Sequence, residues 1–312
     1  MTTVLVTGVV KDFQLEAMRA AAPGAEVRYF ATQAALEEQI EEAEVVAGNI
    51  TAAALVRAGK LRWVHCWAAG PDALMYPEMV ASPVVCTSSK GNGAIPLAEH
   101  AMMLMLMLNR DARAWLRNQE AHVWEHRYHG ELNGLTCGII GLGYSGQDLA
   151  LKCKAFHMRV LGTRRTPQPT ANVDEVYPHE RLDELLAASD FVVVTAPRTP
   201  ETIGMLGEAQ FRAMKPTAHY ICFSRGGIAD DGALLRALQE GWIAGAGLDA
   251  HGEEPLPPDS PFWDLPNTIV TPHNGATTLK TRQRGIDIFV ENLRRYTSDE
   301  PLVNVIDKHA GY

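Results

Sequence analysis

Short apolar runs alternate along this chain with longer stretches in which apolar residues recur every three or four positions. The runs lie near residues 3–7, 26–30, 44–48, 62–67 and 83–86, separated by helix-like stretches such as Phe13 to Ala22 and Gln33 to Glu42. A second series lies near 136–140, 159–162, 190–195, 218–223, 244–248 and 268–271, again with helical spacing between. Strand–helix alternation of this kind predicts an α/β protein with two parallel sheets in tandem. The stretch Ala98 to Glu120 reads as one long helical connector. Its Met102, Met103, Met105 and Met107 suit a core or a subunit interface. From Arg282 to Tyr296 a last helix carries Ile286, Phe289, Val290 and Leu293 on one stripe. Its return to the first domain would make two crossings, and with them a hinge and a cleft of the kind that holds small molecules.

Composition narrows the reading. With 312 residues, 46% of them hydrophobic, the chain is long enough for two ordinary cores. A formal net charge of -9 argues against a nucleic-acid partner, because phosphate binding needs a basic field. The acidic stretch from Glu37 to Glu42 reads as the solvated face of a surface helix. The five cysteines, Cys66, Cys86, Cys137, Cys153 and Cys222, are widely spaced and mostly set in apolar segments, which fits reduced core thiols rather than disulfides or a zinc site. Met1 leads directly into a strand-like run without a charged leader, and the longest apolar run, Ala101 to Leu108, is too short to cross a bilayer. The expectation is a cytoplasmic protein with no membrane partner.

The most informative local feature is Gly141-Leu142-Gly143-Tyr144-Ser145-Gly146, preceded by the run Thr136 to Ile140 and followed by a helix-like stretch from Gln147 to His157. In that context the first glycine permits a tight turn, the second lets backbone approach a pyrophosphate, and the third lets helix and strand pack closely. Ligands of such sheets sit beyond the carboxyl ends of the strands. Arg225 comes after the run ending at Phe223, Asp249 closes Ala244 to Leu248, and His273 comes after Thr268 to Thr271, with Glu254 in the loop after Asp249. An arginine, a histidine and a carboxylate beside a nicotinamide suit a 2-keto acid. Arg225 can fork onto its carboxylate and carbonyl oxygens. His273 can exchange a proton with the carbonyl oxygen, while Glu254 orients the ring and favours its protonated form. Asp249 is left to hold the carboxamide or the local loop. Singly, each has an ordinary alternative as a surface ion pair, a turn residue or a solvated carboxylate; together they point to catalysis. The histidines of His122 to His129 stand at helical spacing, but the segment is polar and a surface or dimer contact explains it more simply than a metal; no metal is expected.

These stretches resemble the D-2-hydroxyacid dehydrogenase family. The likeness is carried by Gly138 to Gly143, Pro197 to Thr202, Met214-Lys215-Pro216, Ser224 to Gly227, Gly247-Leu248-Asp249, Glu254-Pro255-Leu256 and Thr271-Pro272-His273. In the first domain it rests on Ala69 to Asp72 and Ala98-Glu99-His100. The resemblance implies a Rossmann cofactor domain, residues 99–284, inserted in a flavodoxin-like substrate domain of residues 1–98 and 285–312. It implies that Arg225, Glu254 and His273 are the catalytic set and that backbone N–H groups around Ala69 and Gly70 bind the substrate carboxylate. Tyr144 and Ser145 would touch the pyrophosphate, Pro197 and Thr202 would border the cofactor, Phe223 and Asp249 would face the nicotinamide, and Gly275 would be cofactor-binding. A homodimer is implied as well. His251 stands where the family usually has an aromatic residue and Cys222 where asparagine is common, so packing near the nicotinamide is expected to differ. The chain ends at Tyr312 without an appended regulatory domain, and Glu254 argues against formate dehydrogenases, which leaves a glyoxylate, hydroxypyruvate or broader 2-keto acid reductase.

Cofactor choice turns on the end of the second strand of the cofactor sheet, where an acidic residue would bind a ribose 2′-hydroxyl. Here Arg159-Val160-Leu161 leads into Gly162-Thr163-Arg164-Arg165-Thr166. Two guanidiniums and two hydroxyls suit a 2′-phosphate, which predicts NADP(H) in preference, with NAD(H) as the alternative. The rival reading from another class is a cofactor-sensing, corepressor-like binding protein on the same fold.

Overall fold

The computed structural model describes residues 1–311. The chain divides into two compact units, residues 1–92 with 278–312 and residues 93–277. In the first unit β1 (Thr3–Thr7), β2 (Glu26–Phe30), β3 (Val45–Ala47), β4 (Trp63–Cys66) and β5 (Val85–Ser88) form an all-parallel sheet ordered β2-β1-β3-β4-β5. This is the flavodoxin-like winding. The helix Leu279–Thr297 belongs to this unit, its N-terminus capped by the Thr278 hydroxyl, and buries Ile286, Phe289 and Leu293 against Val4, Val6, Val45 and Trp63. The stripe expected on it is the face that packs.

In the second unit β6 (Thr136–Ile140), β7 (Arg159–Thr163), β8 (Glu175–Tyr177), β9 (Phe191–Val194), β10 (His219–Cys222), β11 (Gly245–Leu248) and β12 (Thr268–Val270) make a seven-stranded parallel sheet ordered β12-β11-β10-β9-β6-β7-β8. The order reverses between β6 and β9, as in a dinucleotide-binding sheet. Both β6 and β9 are buried at every position, which is why Cys-Gly-Ile-Ile and Phe-Val-Val-Val read as unbroken apolar runs. Two apolar layers, one on each face, enclose the sheet: one includes Leu185, Phe211, Tyr220 and Leu234, the other Leu104, Leu149, Ile221 and Phe223.

Several details depart from the sequence reading. The connector is two helices, Ala94–Asn109 and Ala112–Glu120, interrupted where Asp111 adopts a left-handed φ of 49°. Met102 and Met105 are core residues of the second unit, and Met103 is exposed. The unit boundaries fall at 92/93 and 277/278 rather than 98/99 and 284/285, because each helix at a crossing stays whole. Ala98, Ala101 and Leu104 of the first such helix already pack with Leu149 and Ile139. The three-residue edge strand β8 has no counterpart among the expected strands. The histidines at 122–129 do not share a helix: His122 has φ 57° and the chain beyond it is irregular.

Candidate active site

Parallel register sets the site. Thr163 pairs with Ile140, Ile140 with Val194, Val194 with Cys222, Cys222 with Leu248 and Leu248 with Val270, so these residues lie in one row across the sheet. The next residue of each strand therefore emerges on one carboxyl edge: Arg164, Gly141, Thr195, Phe223, Asp249 and Thr271.

At the reversal of strand order the three glycines do different work. Gly141 has φ +101°, and a Cβ on it would stand 2.9 Å from the Ala196 backbone. A Cβ on Gly146 would stand 2.2 Å from the Gly141 carbonyl oxygen, so glycine there lets the helix Tyr144–Ala155 begin against the strand end. Gly143, the residue before that helix, is exposed, and a Cβ on it would meet nothing within 4 Å. Two glycines are therefore needed by the protein's own packing, and the third leaves its backbone open to a ligand. Open backbone at the start of a twelve-residue helix, where Tyr144 is exposed and Ser145 half-buried, fits a pyrophosphate. The Thr195 hydroxyl fixes the turn by donating to the Gly141 carbonyl. At the end of β7 Thr163 is buried, and beyond the strand Arg164 is half-buried and Arg165 and Thr166 are exposed, with no carboxylate at the strand end. Pro197 and Thr202 are joined by a hydrogen bond from the Thr202 hydroxyl to the Pro197 carbonyl at 2.8 Å.

Beyond β10, Arg225 is half-buried, with Nη1 donating to the Ser224 carbonyl at 2.7 Å. Beyond β11 and β12, Glu254 and His273 meet: Nδ1 of the imidazole lies 2.7 Å from Glu254 Oε2, with the two side chains 36% and 39% exposed. Glu254 Oε1 accepts from the His251 N–H at 2.9 Å. Burial would raise the Glu254 carboxyl, but the His251 N–H and the His273 imidazole outweigh it and hold the group below its usual range. His273 has φ 49°, an uncommon conformation for a residue with a side chain, and its N–H donates to the Thr271 carbonyl at 3.1 Å.

Asp249 is fully buried and its carboxylate is committed to the same loop. Oδ1 accepts from the Thr271 hydroxyl at 2.6 Å and the Asn274 N–H at 3.0 Å, and Oδ2 accepts from the Gly275 N–H at 2.9 Å. Of its two expected tasks, the geometry displays the holding of the loop. Phe223 is likewise buried, packed in the apolar layer under the sheet edge, so its side chain is not presented to a ligand. Gly275 is buried against Asp249 and His100. His100 has no role in the sequence reading, yet its Nε2 lies 3.0 Å from the Thr271 hydroxyl and 3.6 Å from Asp249 Oδ1. Burial pushes the His100 imidazole down against the pull of Asp249. A polar residue immediately after β12 is the signal that could have found this pair.

Ala69 and Gly70 lie in the first unit, in the loop after β4; Ala69 is exposed and Gly70 half-buried. That loop is tied to the end of β5, where the Ser89 N–H donates to the carbonyls of Cys66 and Ala68 at 3.0 and 3.1 Å. Among the described residues no group of three or more histidine, cysteine, aspartate or glutamate side chains could hold a metal ion, and no helix is long and apolar enough to cross a membrane.

Residues 102–275 match the profile of the D-isomer specific 2-hydroxyacid dehydrogenase NAD binding domain. The chain is 34% identical over 257 residues to a glyoxylate reductase of Korarchaeum cryptofilum, covering 80% of this chain and 77% of that one. Among solved structures it is similar to a D-isomer specific 2-hydroxyacid dehydrogenase family protein from Aeromonas salmonicida, with a TM-score of 0.89, 31% identity and coverage of 98% and 99% of the two chains. It is similar also to an NADPH-dependent glyoxylate/hydroxypyruvate reductase from Sinorhizobium meliloti, solved with NADP and sulfate, with a TM-score of 0.86, 31% identity and full coverage of both.

Proposed function

The chain belongs to the D-isomer specific 2-hydroxyacid dehydrogenase family, and from that membership we propose that it reduces small 2-keto acids of the glyoxylate and hydroxypyruvate class, preferring NADP(H) to NAD(H). The observation that carries the chemistry is the Glu254–His273 pair at 2.7 Å on the carboxyl edge of a dinucleotide-binding sheet. A bound nicotinamide would supply or accept the hydride, and the chain's own residues would move the proton and hold the substrate. With Nδ1 held by Glu254, the Nε2 nitrogen of His273 is the one that gives a proton to the substrate carbonyl oxygen and recovers it in the reverse direction. Glu254 keeps the imidazolium favourable and the ring oriented. Arg225 takes the substrate's carboxylate and carbonyl oxygens through its planar fork. For the first unit taken by itself, the backbone N–H groups of Ala69 and Gly70 are proposed as carboxylate donors. Gly141 and Gly146 would shape the turn on which Gly143, Tyr144 and Ser145 would hold the pyrophosphate, Arg164, Arg165 and Thr166 would hold the 2′-phosphate, and Pro197 and Thr202 would border the cofactor. Asp249 and Gly275 shape the floor of the site beside Phe223.

The protein is further proposed to be a cytoplasmic homodimer. All five cysteines are buried and free, which supports a reducing compartment, and exposed Trp115, Leu116, Val123 and Trp124 supply apolar surface for a second copy. The decisive experiment is a panel of glyoxylate, hydroxypyruvate, pyruvate, phenylpyruvate and branched keto acids with both cofactors. Turnover with NADPH, abolished in His273→Ala while NADPH still binds, is the expected result. Tight NADPH binding without turnover of any keto acid would replace the enzyme by the corepressor-like reading.

A further inference from the structure

The segment Asp249 to Glu254 grips the loop that carries His273 at several points, and His251 takes part twice, once through Glu254 and once directly. Its backbone N–H donates to Glu254 Oε1 at 2.9 Å, and Glu254 Oε2 lies 2.7 Å from His273 Nδ1. Its ring reaches the same loop by another route: Nε2 lies 3.2 Å from the Thr271 carbonyl oxygen. A carbonyl oxygen only accepts, so the His251 ring carries a proton on Nε2. The Thr271 carbonyl also accepts the His273 N–H at 3.1 Å, so both its lone pairs are used. The connections close a circuit from the His251 N–H through Glu254, the His273 ring and backbone and the Thr271 carbonyl back to the His251 ring. The other side of His251 is pressed on the arginine loop: a Cβ on Gly226 would lie 1.7 Å from the His251 carbonyl oxygen.

That circuit has a task. His273 holds φ 49°, and a non-glycine residue keeps such a conformation only where its surroundings over-determine it. On its C-terminal side the loop is fixed by Asp249, which takes the N–H groups of Asn274 and Gly275. On its N-terminal side the Thr271 carbonyl caps the His273 N–H, and the His251 ring restrains that carbonyl. His251 is 9% exposed, so its polar ring is kept in the interior for an internal partner.

We infer that His251 is a positioning residue for the reaction: its ring, through the Thr271 carbonyl, and its N–H, through Glu254, hold His273 in the conformation from which Nε2 transfers the proton. This inference rests on the keto-acid reductase reading of the Glu254–His273 pair. A methionine side chain at position 251 would fill much of the same space and give the Thr271 carbonyl no donor; a glutamine amide would restore one. The titratable groups facing the circuit are Glu254 and Asp231, the latter accepting the Gly252 N–H, with Asp249 beneath the loop.

The test compares native protein with His251→Met, His251→Leu and His251→Gln; two donor-free variants keep the comparison independent of whether either one folds. Glyoxylate reduction by NADPH is measured across the range in which an imidazole titrates, and the His273 ring is titrated by nitrogen NMR in the ligand-free protein. The donor-free variants should lose roughly ten- to a hundredfold in kcat, as a misplaced catalytic group does, with KM for NADPH unchanged. The alkaline limb of the rate profile and the NMR midpoint of His273 should both move to lower pH as its contact with Glu254 loosens. His251→Gln should recover most of the rate and of the midpoint. Native kcat and midpoint in the donor-free variants, or a glutamine variant no better than they are, would overturn the inference and leave the ring as a space filler. The NMR comparison is read whether or not any keto acid turns over, so its failure is separate from a failure of native protein to reduce the panel, which would overturn the enzymatic reading instead.

Discussion

Replacing Gly143 and Gly146 by alanine, one at a time, should separate what the glycine turn does for the fold from what it does for a ligand. At Gly146 the added methyl would lie 2.2 Å from the Gly141 carbonyl oxygen and 3.0 Å from the Thr195 hydroxyl oxygen, both held by the turn, so the helix start must move. Overpacking of that kind costs about 1–3 kcal/mol. At Gly143 the methyl meets no protein atom within 4 Å, and φ -77° with ψ -162° is extended backbone that alanine adopts freely. Its effect on stability should therefore stay within about 0.5 kcal/mol. The same methyl occupies the space through which backbone approaches a pyrophosphate, so NADPH affinity should fall by at least roughly tenfold, or about 1.4 kcal/mol. Urea unfolding of the ligand-free variants and fluorescence titration with NADPH measure the two effects. Native NADPH affinity in Gly143→Ala would refute the reasoning, since the open side of the turn would then not be the ligand's side.

Arg164→Ser should reduce kcat/KM for NADPH by roughly ten- to a hundredfold, the range for a lost hydrogen bond to a charged group, while kcat/KM for NADH changes little; equal losses with both cofactors would show that Arg164 does not meet the 2′-phosphate. Glu254→Gln removes the charged partner of His273, so protonated His273 becomes less favourable and the alkaline limb of keto-acid reduction should move to lower pH. The pair stands at 2.7 Å, and an unmoved limb would mean that it is not coupled in turnover. In the first unit, burial pushes the His65 imidazole down to about 3. A histidine depressed in the fold contributes stability that is complete above its unfolded value and is lost as pH falls toward the folded one. The structure should therefore weaken between about pH 6.5 and 3, by up to about 1.4 kcal/mol per unit, and His65→Gln should flatten that dependence in urea unfolding at a series of pH values.

The elements that are legible in the sequence are those for which burial and local chemistry agree. β6 is apolar because helices cover both its faces, and its turn is glycine-rich because Gly141 and Gly146 have no room for a Cβ. β8 is hidden because a three-residue edge strand with Tyr177 as its one buried residue leaves no periodic pattern. The break at Asp111 is hidden for the opposite reason. Helical periodicity runs on through a single left-handed residue that is neither glycine nor proline. Placing the first crossing at residue 98 cuts a helix whose face is already committed to the second unit.

Within the site, Arg225, Glu254 and His273 can be picked out because each comes after a strand whose carboxyl end is set by parallel register. Spacing alone does not distribute the tasks inside Asp249-Ala250-His251-Gly252-Glu253-Glu254. Asp249 and Glu254 are both carboxylates, yet the first is fully buried and takes two backbone N–H groups and a hydroxyl, whereas the second is partly exposed and takes one backbone N–H and an imidazole. A carboxylate saturated by backbone donors is suited to hold a loop still; one that shares a proton-bearing partner is suited to tune it. His251 has no such signature in sequence, because its ring meets a main-chain carbonyl twenty residues further on that any residue at position 271 would supply. Support for the reacting histidine thus comes from positions that the pattern of the segment cannot rank, and only the register of β11 beside β12 brings them to it.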